Sequence, residues 1–447
     1  MIKNIKEFIN KSKTDLDLLL LGLLILSLPF ERIPSFDLYG VTIRASLVIG
    51  LAVILRAAYL LINKKVRLNK SLPLSFLAIF IFWIILIIPE SINFQRAIQA
   101  VAYNIFVILL AVSVYLIYKK EYLKHLISLL FIVTLFVSAF AFYQFFGDII
   151  GIPYEYTGLA ERYTSGLFGF PRVQGFSLEP LYFGSFMLIP TMLAMALVVA
   201  KDNSVTSKKI QYFLLFVFST VIFITVARGA IYGMAVGIII LVIISLFKKI
   251  STLKSLATAL AIIVLAFGAS LLIINYASRI PLDLSKTFGK RGAAAFTQQL
   301  TRTTLNDTDE RAIARTQAID LLQNNKSAWV FGLGPGQFGP YIQNNTKTAD
   351  GWAIVNNLTL ELLVETGVVG FLLIVAYFLS LVFIGYKKAS NNKNELLSSA
   401  VIIGLLAYLA TQAIQYQGFS TLYVVHIWVA AGLIMGVAIG NLTIRSK

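Results

Sequence analysis

The chain has 447 residues, of which 58% are hydrophobic and only 13% charged, and its mean hydropathy is +0.81. That balance excludes a soluble globular protein, in which about half the residues are apolar and about a quarter charged. The formal net charge of +17 then concerns where lysines fall around membrane spans, not nucleic acid, and the lack of cysteine excludes disulfides and thiolate metal sites.

The apolar runs are close to the ~20 residues an α-helix needs to cross hydrocarbon, and they lack the alternation of membrane β-strands. The expected fold is an all-α polytopic membrane protein. In chain order the runs centre on residues 16–30, 44–62, 72–89, 97–117, 126–147, 180–200, 210–226, 230–247, 255–275, 368–386, 396–414 and 421–440, which makes about twelve transmembrane helices. The basic stretch MIKNIKEFINKSK enters the first run without a small-residue cleavage site, so that run is expected to stay as an anchor. Every second connection is short and lysine-rich: KKVRLNK, KKEYLKH, KDNSVTSKK, FKKISTLK and YKKASNNKNE. The positive-inside rule assigns these connections and both termini to the cytoplasm.

The outward connections are then residues 31–43, 90–95, 148–179, a tight turn at Arg228, residues 276–367 and 415–420. Loops longer than about 12–15 residues are usually functional. The domain reading is accordingly 1–275, nine helices with the outer loop 148–179; 276–367, a large helical extracytoplasmic loop between spans nine and ten; and 368–447, the last three helices. No internal repeat of the kind many transporters carry is visible. His125 and His426 lie too far apart in sequence to suggest a metal motif and read as structural.

Charged residues gather on the outward side. In IQYFLLFVFSTVIFITVARGAIYGMAVGIIILVIISLF two helices must hairpin at Arg228, with Gly229 expected to supply the turn. Arg228 either snorkels to headgroups or presents a fixed guanidinium suited to phosphate. Arg172 and Glu179 end the outer loop 148–179, ahead of Pro180. They form a local ion pair worth about 0–1 kcal/mol if exposed, or place Glu179 as a general base beside a cationic site. In NDTDERAIARTQAIDLLQNN, Asp307 is an expected N-cap with Glu310 at the capping-box spacing, and Arg311, Arg315, Ala318 and Leu322 fall on one face. Two like charges on a packing face call for an anion, or for neutralisation by Asp307 and Asp320. The glycine-rich WVFGLGPGQFGPY, with Gly334 and Gly336, lacks the strand-turn-helix context of a phosphate-binding loop. The DTD at 307–309 fits capping better than a metal site.

Four segments taken together, RVQGFSLEP, TVARGAIYG, ARTQAIDLLQNNKSAWVFGLGPGQF and NNLTLELLVETGVVG, resemble the O-antigen polymerase and O-antigen ligase superfamily in order, spacing and common outward side. Arg228 matches the arginine of that family's SRGA turn, with Ala227 in place of serine. Arg315 matches the arginine ahead of the GxG element, with Ile319 near its tryptophan position. Asn357, Glu365 and Gly367 match the asparagine and the ExG pair of the last motif, whose leading histidine is replaced by Asn356.

The resemblance implies an enzyme of the cytoplasmic (inner) membrane that moves a glycan from undecaprenyl pyrophosphate to an acceptor hydroxyl on the outer face, without metal or cofactor and with inversion. Its implied partners are the lipid-linked glycan donor, the glycan acceptor, membrane lipid, a chain-length regulator and a flippase, but no nucleic acid. Glu179, Arg228 and Arg172 are the expected catalytic residues; Arg311, Arg315, Gly334, Gly336, Asn356, Asn357 and Glu365 are the expected pyrophosphate- and substrate-binding residues. Asparagine takes no proton near pH 7, so losing the histidine favours a polymerase with Glu179 as base over a histidine-dependent ligase. The alternatives are ligase-type transfer to a lipid core or protein, a multi-span transporter or lipid flippase, whose ionisable residues should instead line the membrane midplane, and a structural scaffold.

Overall fold

In the computed structural model the described residues are 1–32, 34–38, 41–277, 297, 310–346, 353–420 and 422–440. Helices of six or more described residues are numbered in chain order. They are α1 (Ile2–Ser12), α2 (Leu16–Ser27), α3 (Ala45–Ile62), α4 (Leu72–Leu86), α5 (Phe94–Ile117), α6 (Leu123–Ile149), α7 (Pro180–Ala200), α8 (Lys208–Thr225), α9 (Arg228–Phe247), α10 (Leu253–Ala277), α11 (Glu310–Asn324), α12 (Lys326–Phe331), α13 (Phe338–Thr346), α14 (Leu358–Lys388), α15 (Leu396–Gln415) and α16 (Val425–Ile439).

Each of the twelve apolar runs read from the sequence is a helix. Among the described residues ten helices are long and apolar enough to cross a membrane, and the remaining two runs form the shorter apolar helices Leu16–Ser27 and Val425–Ile439. The chain is an all-α polytopic membrane protein. The tenth run begins earlier than hydropathy suggests: α14 starts at Leu358, and Gly367, at φ 65°, breaks it one residue before the apolar stretch expected from residue 368. The outward connection after α2 also carries a small antiparallel hairpin, Ser35–Leu38 against Val41–Arg44, which pairs Phe36 with Ile43.

The chain divides into two compact units, Met1–Val53, Tyr118–Arg302 and Lys388–Gln412 in the first, and Ile54–Ile117, Thr303–Lys387 and Ala413–Lys447 in the second. The first is built around α7, which is buried along almost its whole length and packs against α8, α9 and α10. Small residues permit the close approach. A Cβ on Gly237 of α9 would stand 2.4 Å from the Thr411 side chain, and one on Gly184 of α7 would stand 2.8 Å from the Ala230 Cβ. Buried polar groups in this core are paired, as in the 2.8 Å bond from the Ser185 hydroxyl to Gln412 Oε1. On the lysine-rich side, Asp15 caps α2 by accepting the Asp17 and Leu18 N–H groups, and Lys119 lies 3.3 Å from the same carboxylate. Both histidines are buried, and His125 Nδ1 meets the Asn4 carbonyl at 2.9 Å.

In the second unit α5 packs on α16, where Gly432 leaves room for the Ala111 carbonyl. Trp428 of α16 stacks on Tyr377 of α14 at 5.7 Å and donates its indole N–H to the Leu422 carbonyl at 2.6 Å. The outer helices α11, α12 and α13 share a small core of Ala314, Ala318, Leu321, Ala328, Phe338, Ile342, Val355 and Val364. The buried stripe of α11 is Ala314, Ala318 and Leu321, which shares only Ala318 with the expected face of Arg311, Arg315, Ala318 and Leu322; Arg311 is exposed. The expected capping by Asp307 and Glu310 lies outside the described side chains.

Candidate functional site

In the first unit, FPRVQGFSLEP is held as a fixed strap by one buried side chain. Gln144 of α6 accepts the Gln174 and Gly175 N–H groups through Oε1 at 3.3 and 2.8 Å and donates to the Gly175 carbonyl at 3.3 Å. Gly175 adopts φ 56°, and a Cβ there would stand 2.7 Å from the Phe183 ring. Phe176 stacks on Phe140 at 4.2 Å and on Phe136 at 6.0 Å. The strap therefore sets Arg172 with little freedom.

Arg172 reaches the turn between α8 and α9. Its N–H donates to the Tyr163 carbonyl at 2.9 Å, and its guanidinium lies over the Tyr163 ring at 5.6 Å. From there Nε and Nη2 point at the Thr225 and Val226 carbonyls, each at 3.4 Å. The turn itself corrects the sequence reading. The positive φ falls on Val226, at 51°, while Gly229 already lies in α9. Thr225 makes this possible, because its hydroxyl accepts the Ala227 N–H at 3.1 Å and closes the turn. A β-branched residue in the left-handed region is a genuine outlier and costs on the order of 1–3 kcal/mol. Arg228 begins α9 with its side chain exposed. Glu179 stands just before α7 and meets Arg162 Nη2 at 3.1 Å, so its ion-pair partner is an arginine the sequence reading passed over.

A second acid lies under the same strap. Glu31 is 7% exposed, and its segment is tied to the strap by the Arg32 N–H donating to the Phe176 carbonyl at 2.9 Å. Burial raises its carboxyl above the usual glutamate range, against the opposing pull of Arg44 and the Ser177 hydroxyl.

The second unit holds Arg311, Arg315, Gly334, Gly336, Asn356, Asn357 and Glu365, and these sort into two clusters plus one surface cation. Arg315 Nη2 donates to the Asn356 carbonyl at 3.1 Å and to the Gln417 carbonyl at 3.0 Å. Asn356 sits at φ 55°, a conformation asparagine tolerates, and its N–H donates to the Ser420 hydroxyl at 2.9 Å. Asn357 caps α14, its Oδ1 accepting the Leu360 N–H at 3.0 Å while Nδ2 donates to the Gln417 carbonyl at 3.2 Å. Arg311, one turn before Arg315, is exposed.

The other cluster is the glycine-rich loop closed over the break in α14. Glu365 accepts the Gly336 N–H at 2.8 Å and the Phe338 N–H at 3.4 Å, while the Leu333 and Gly334 N–H groups donate to the Val364 and Glu365 carbonyls at 2.8 and 3.0 Å. These donors point at α14 rather than into an open nest. The interlock is tight, since a Cβ on Gly367 would stand 2.1 Å from the Val330 carbonyl oxygen, and one on Gly332 would stand 2.4 Å from the Glu365 carbonyl. Arg96 and Glu361 lie within electrostatic reach of Glu365. Tyr423 faces the same carboxylates.

Residues 213–375, from within α8 to within α14, match the family model described as O-antigen ligase. This stretch, a little over a third of the chain, is similar to the O-antigen ligase family. No curated protein matches the chain. The matched segment contains Arg228, Arg311, Arg315, Gly334, Gly336, Asn356, Asn357 and Glu365, whereas Arg172 and Glu179 precede it. Outside the matched segment, sequence reasoning did not single out Arg96, Gln417, Ser420 and Tyr423, all of which belong to the second unit. Gln417 and Ser420 fall in the short outward connection 415–420. A polar pair in so short an outer turn was the available signal.

Proposed function

We propose that the protein is a membrane glycosyltransferase that polymerises undecaprenyl-pyrophosphate-linked repeat units on the outer face of the cytoplasmic membrane, with both termini inside. The acceptor hydroxyl attacks the anomeric carbon. The bond from that carbon to the phosphate oxygen breaks, the lipid pyrophosphate leaves with the bonding pair, and the hydroxyl proton passes to Glu179. The leaving group gains negative charge in the transition state, so guanidinium groups fixed beforehand accelerate the step.

The observation that carries this reading is how Arg172 and Arg315 are held. Arg172 is oriented by the Thr225 and Val226 carbonyls of one outward turn, and Arg315 by the Asn356 and Gln417 carbonyls of two outward segments, which direct the planar fork of each. Arg228 in the first unit and Arg311 in the second are exposed, and each adds a cation to the outward side of its own unit. Asn356, Asn357 and Glu365 serve the site by shaping the turn that seats Arg315 and the loop that closes over α14. The glycine loop with Gly334 and Gly336 is part of that support.

A second reading, transfer of a finished glycan to another acceptor, is favoured by the description of the matching family. Incubating the purified protein with an undecaprenyl-linked oligosaccharide and resolving products by length separates the two. A ladder is expected; one fixed increment on a different acceptor would replace polymerase by ligase, and no transfer at all would remove both. Glu179→Gln should slow transfer by about 100-fold or more while donor lipid still binds, the range for losing a general base.

A further inference from the structure

We propose that α12, the KSAWVF segment of the large outer loop, is seated in the outer leaflet and is covered by bilayer lipid. The inference needs only the membrane-spanning fold and stands whatever group the enzyme transfers. Trp329, Val330 and Phe331 are 45, 38 and 48% exposed, three consecutive large apolar side chains on a segment that hydropathy assigns to water. Exposed patches of this kind mark an interaction surface. Two contacts fix its depth.

First, the Phe331 ring stacks on Trp83 at 5.9 Å, and the Trp83 indole N–H donates to the Thr366 carbonyl at 2.8 Å. Trp83 lies inside the candidate span Leu72–Glu90. It stands seven positions before Glu90, the charged end of that span. Second, the Val330 carbonyl is packed directly on Gly367, where the long apolar part of α14 begins. Both contacts set the end of α12 at the level of residues that hydrocarbon or its boundary must cover. Phe82 and Leu86, the neighbours of Trp83 on α4, are 66 and 56% exposed, so the apolar surface continues from the span onto α12. The same lipid covers both.

The local chemistry suits an interface. Asn325 caps α12 by accepting the Ala328 N–H at 3.0 Å, and Ala328 is buried against the outer core. Lys326 is exposed at the start of the helix, one turn from Trp329, and tryptophan and lysine are the usual anchors at headgroup level. The helix that carries Arg315 is joined to α12 by a single residue, Asn325. Lipid contact at α12 thereby registers α11 to the height at which a lipid-borne substrate presents its phosphates.

The absence of cysteine makes the test direct. Nitroxide labels on Trp329→Cys, Val330→Cys and, as a water-exposed reference, Asn345→Cys are read in the full-length protein reconstituted into phosphatidylethanolamine and phosphatidylglycerol vesicles. Labels at 329 and 330 should collide with oxygen in preference to a water-soluble nickel chelate, with a ratio several-fold above that at 345. Equal ratios at the three sites would overturn the proposal, and so would shielding of 329 and 330 from both reagents, which means protein covers the patch. If the labels disturb folding, bromolipid quenching of the native fluorescence answers the same question. Quenching should fall in Trp329→Phe, and unchanged quenching overturns the proposal.

Discussion

Two arginines in different units do the same structural job on different backbones. Arg172 grips the carbonyl of Val226 and Arg315 that of Asn356, and both carbonyls belong to residues with positive φ, 51° and 55°. Asparagine adopts that conformation readily, whereas valine pays for it with on the order of 1–3 kcal/mol of strain. The turn at Asn356 would thus keep its shape with little help, while the turn at Val226 persists because Thr225, Arg172 and the flanking helices over-determine it. Where a sequence accepts strain in front of an arginine, the position of that arginine is under tighter control than fold stability requires.

The contrast can be broken by experiment. Arg172→Ala should cost transfer the most, about 100- to 1,000-fold in a single-turnover assay with lipid-linked donor, the loss typical of removing a positioned donor to developing charge. Arg172→Lys should recover little of it, since one ammonium does not reproduce a fork aimed at two carbonyls. A lysine variant with full activity would show that only charge matters. Arg315→Ala should cost less, about 10- to 100-fold, because its turn retains the Ser420 bond to Asn356. A larger loss than at Arg172 would reverse the ranking.

Asn356→Val transplants the strained residue onto the relaxed turn, and should lower the unfolding free energy by about 1–2 kcal/mol in detergent melts; an unchanged midpoint would remove the strain argument. The smallest expected effect concerns the acid beneath the first strap. Glu31 has a carboxyl raised above 4.5, so the native state holds its proton more tightly than the unfolded chain does. Its contribution to stability is therefore fully present below about pH 4.5 and is lost as the pH rises through the raised value. Glu31→Gln should flatten that part of the stability profile, and a profile parallel to wild type would exclude Glu31 as its source.

The architecture was legible because hydrocarbon imposes length: each of the twelve apolar runs is a helix, down to the short pair at either end of the chain. Local chemistry read less well. Glycine at 229 looked like the turn, but Thr225 supplies a hydroxyl acceptor that lets Val226 take the strained position. Proximity in sequence likewise suggested Arg172 as the partner of Glu179, whereas the short helical turns of the outer loop bring Arg162 to it across seventeen residues. Arg315 and Asn357 fall in separate motifs, and what unites them, the Gln417 carbonyl, is a main-chain atom that carries no signature in composition.

Because α7 is enclosed by protein on nearly every side, its height answers to its neighbours and not to acyl-chain length. Helices that face lipid, such as α3 and α10, must tilt or shift when the bilayer thins or thickens. Glu179 rides at the head of the enclosed helix, so changes in membrane composition should reach this carboxylate only after the rest of its unit has deformed.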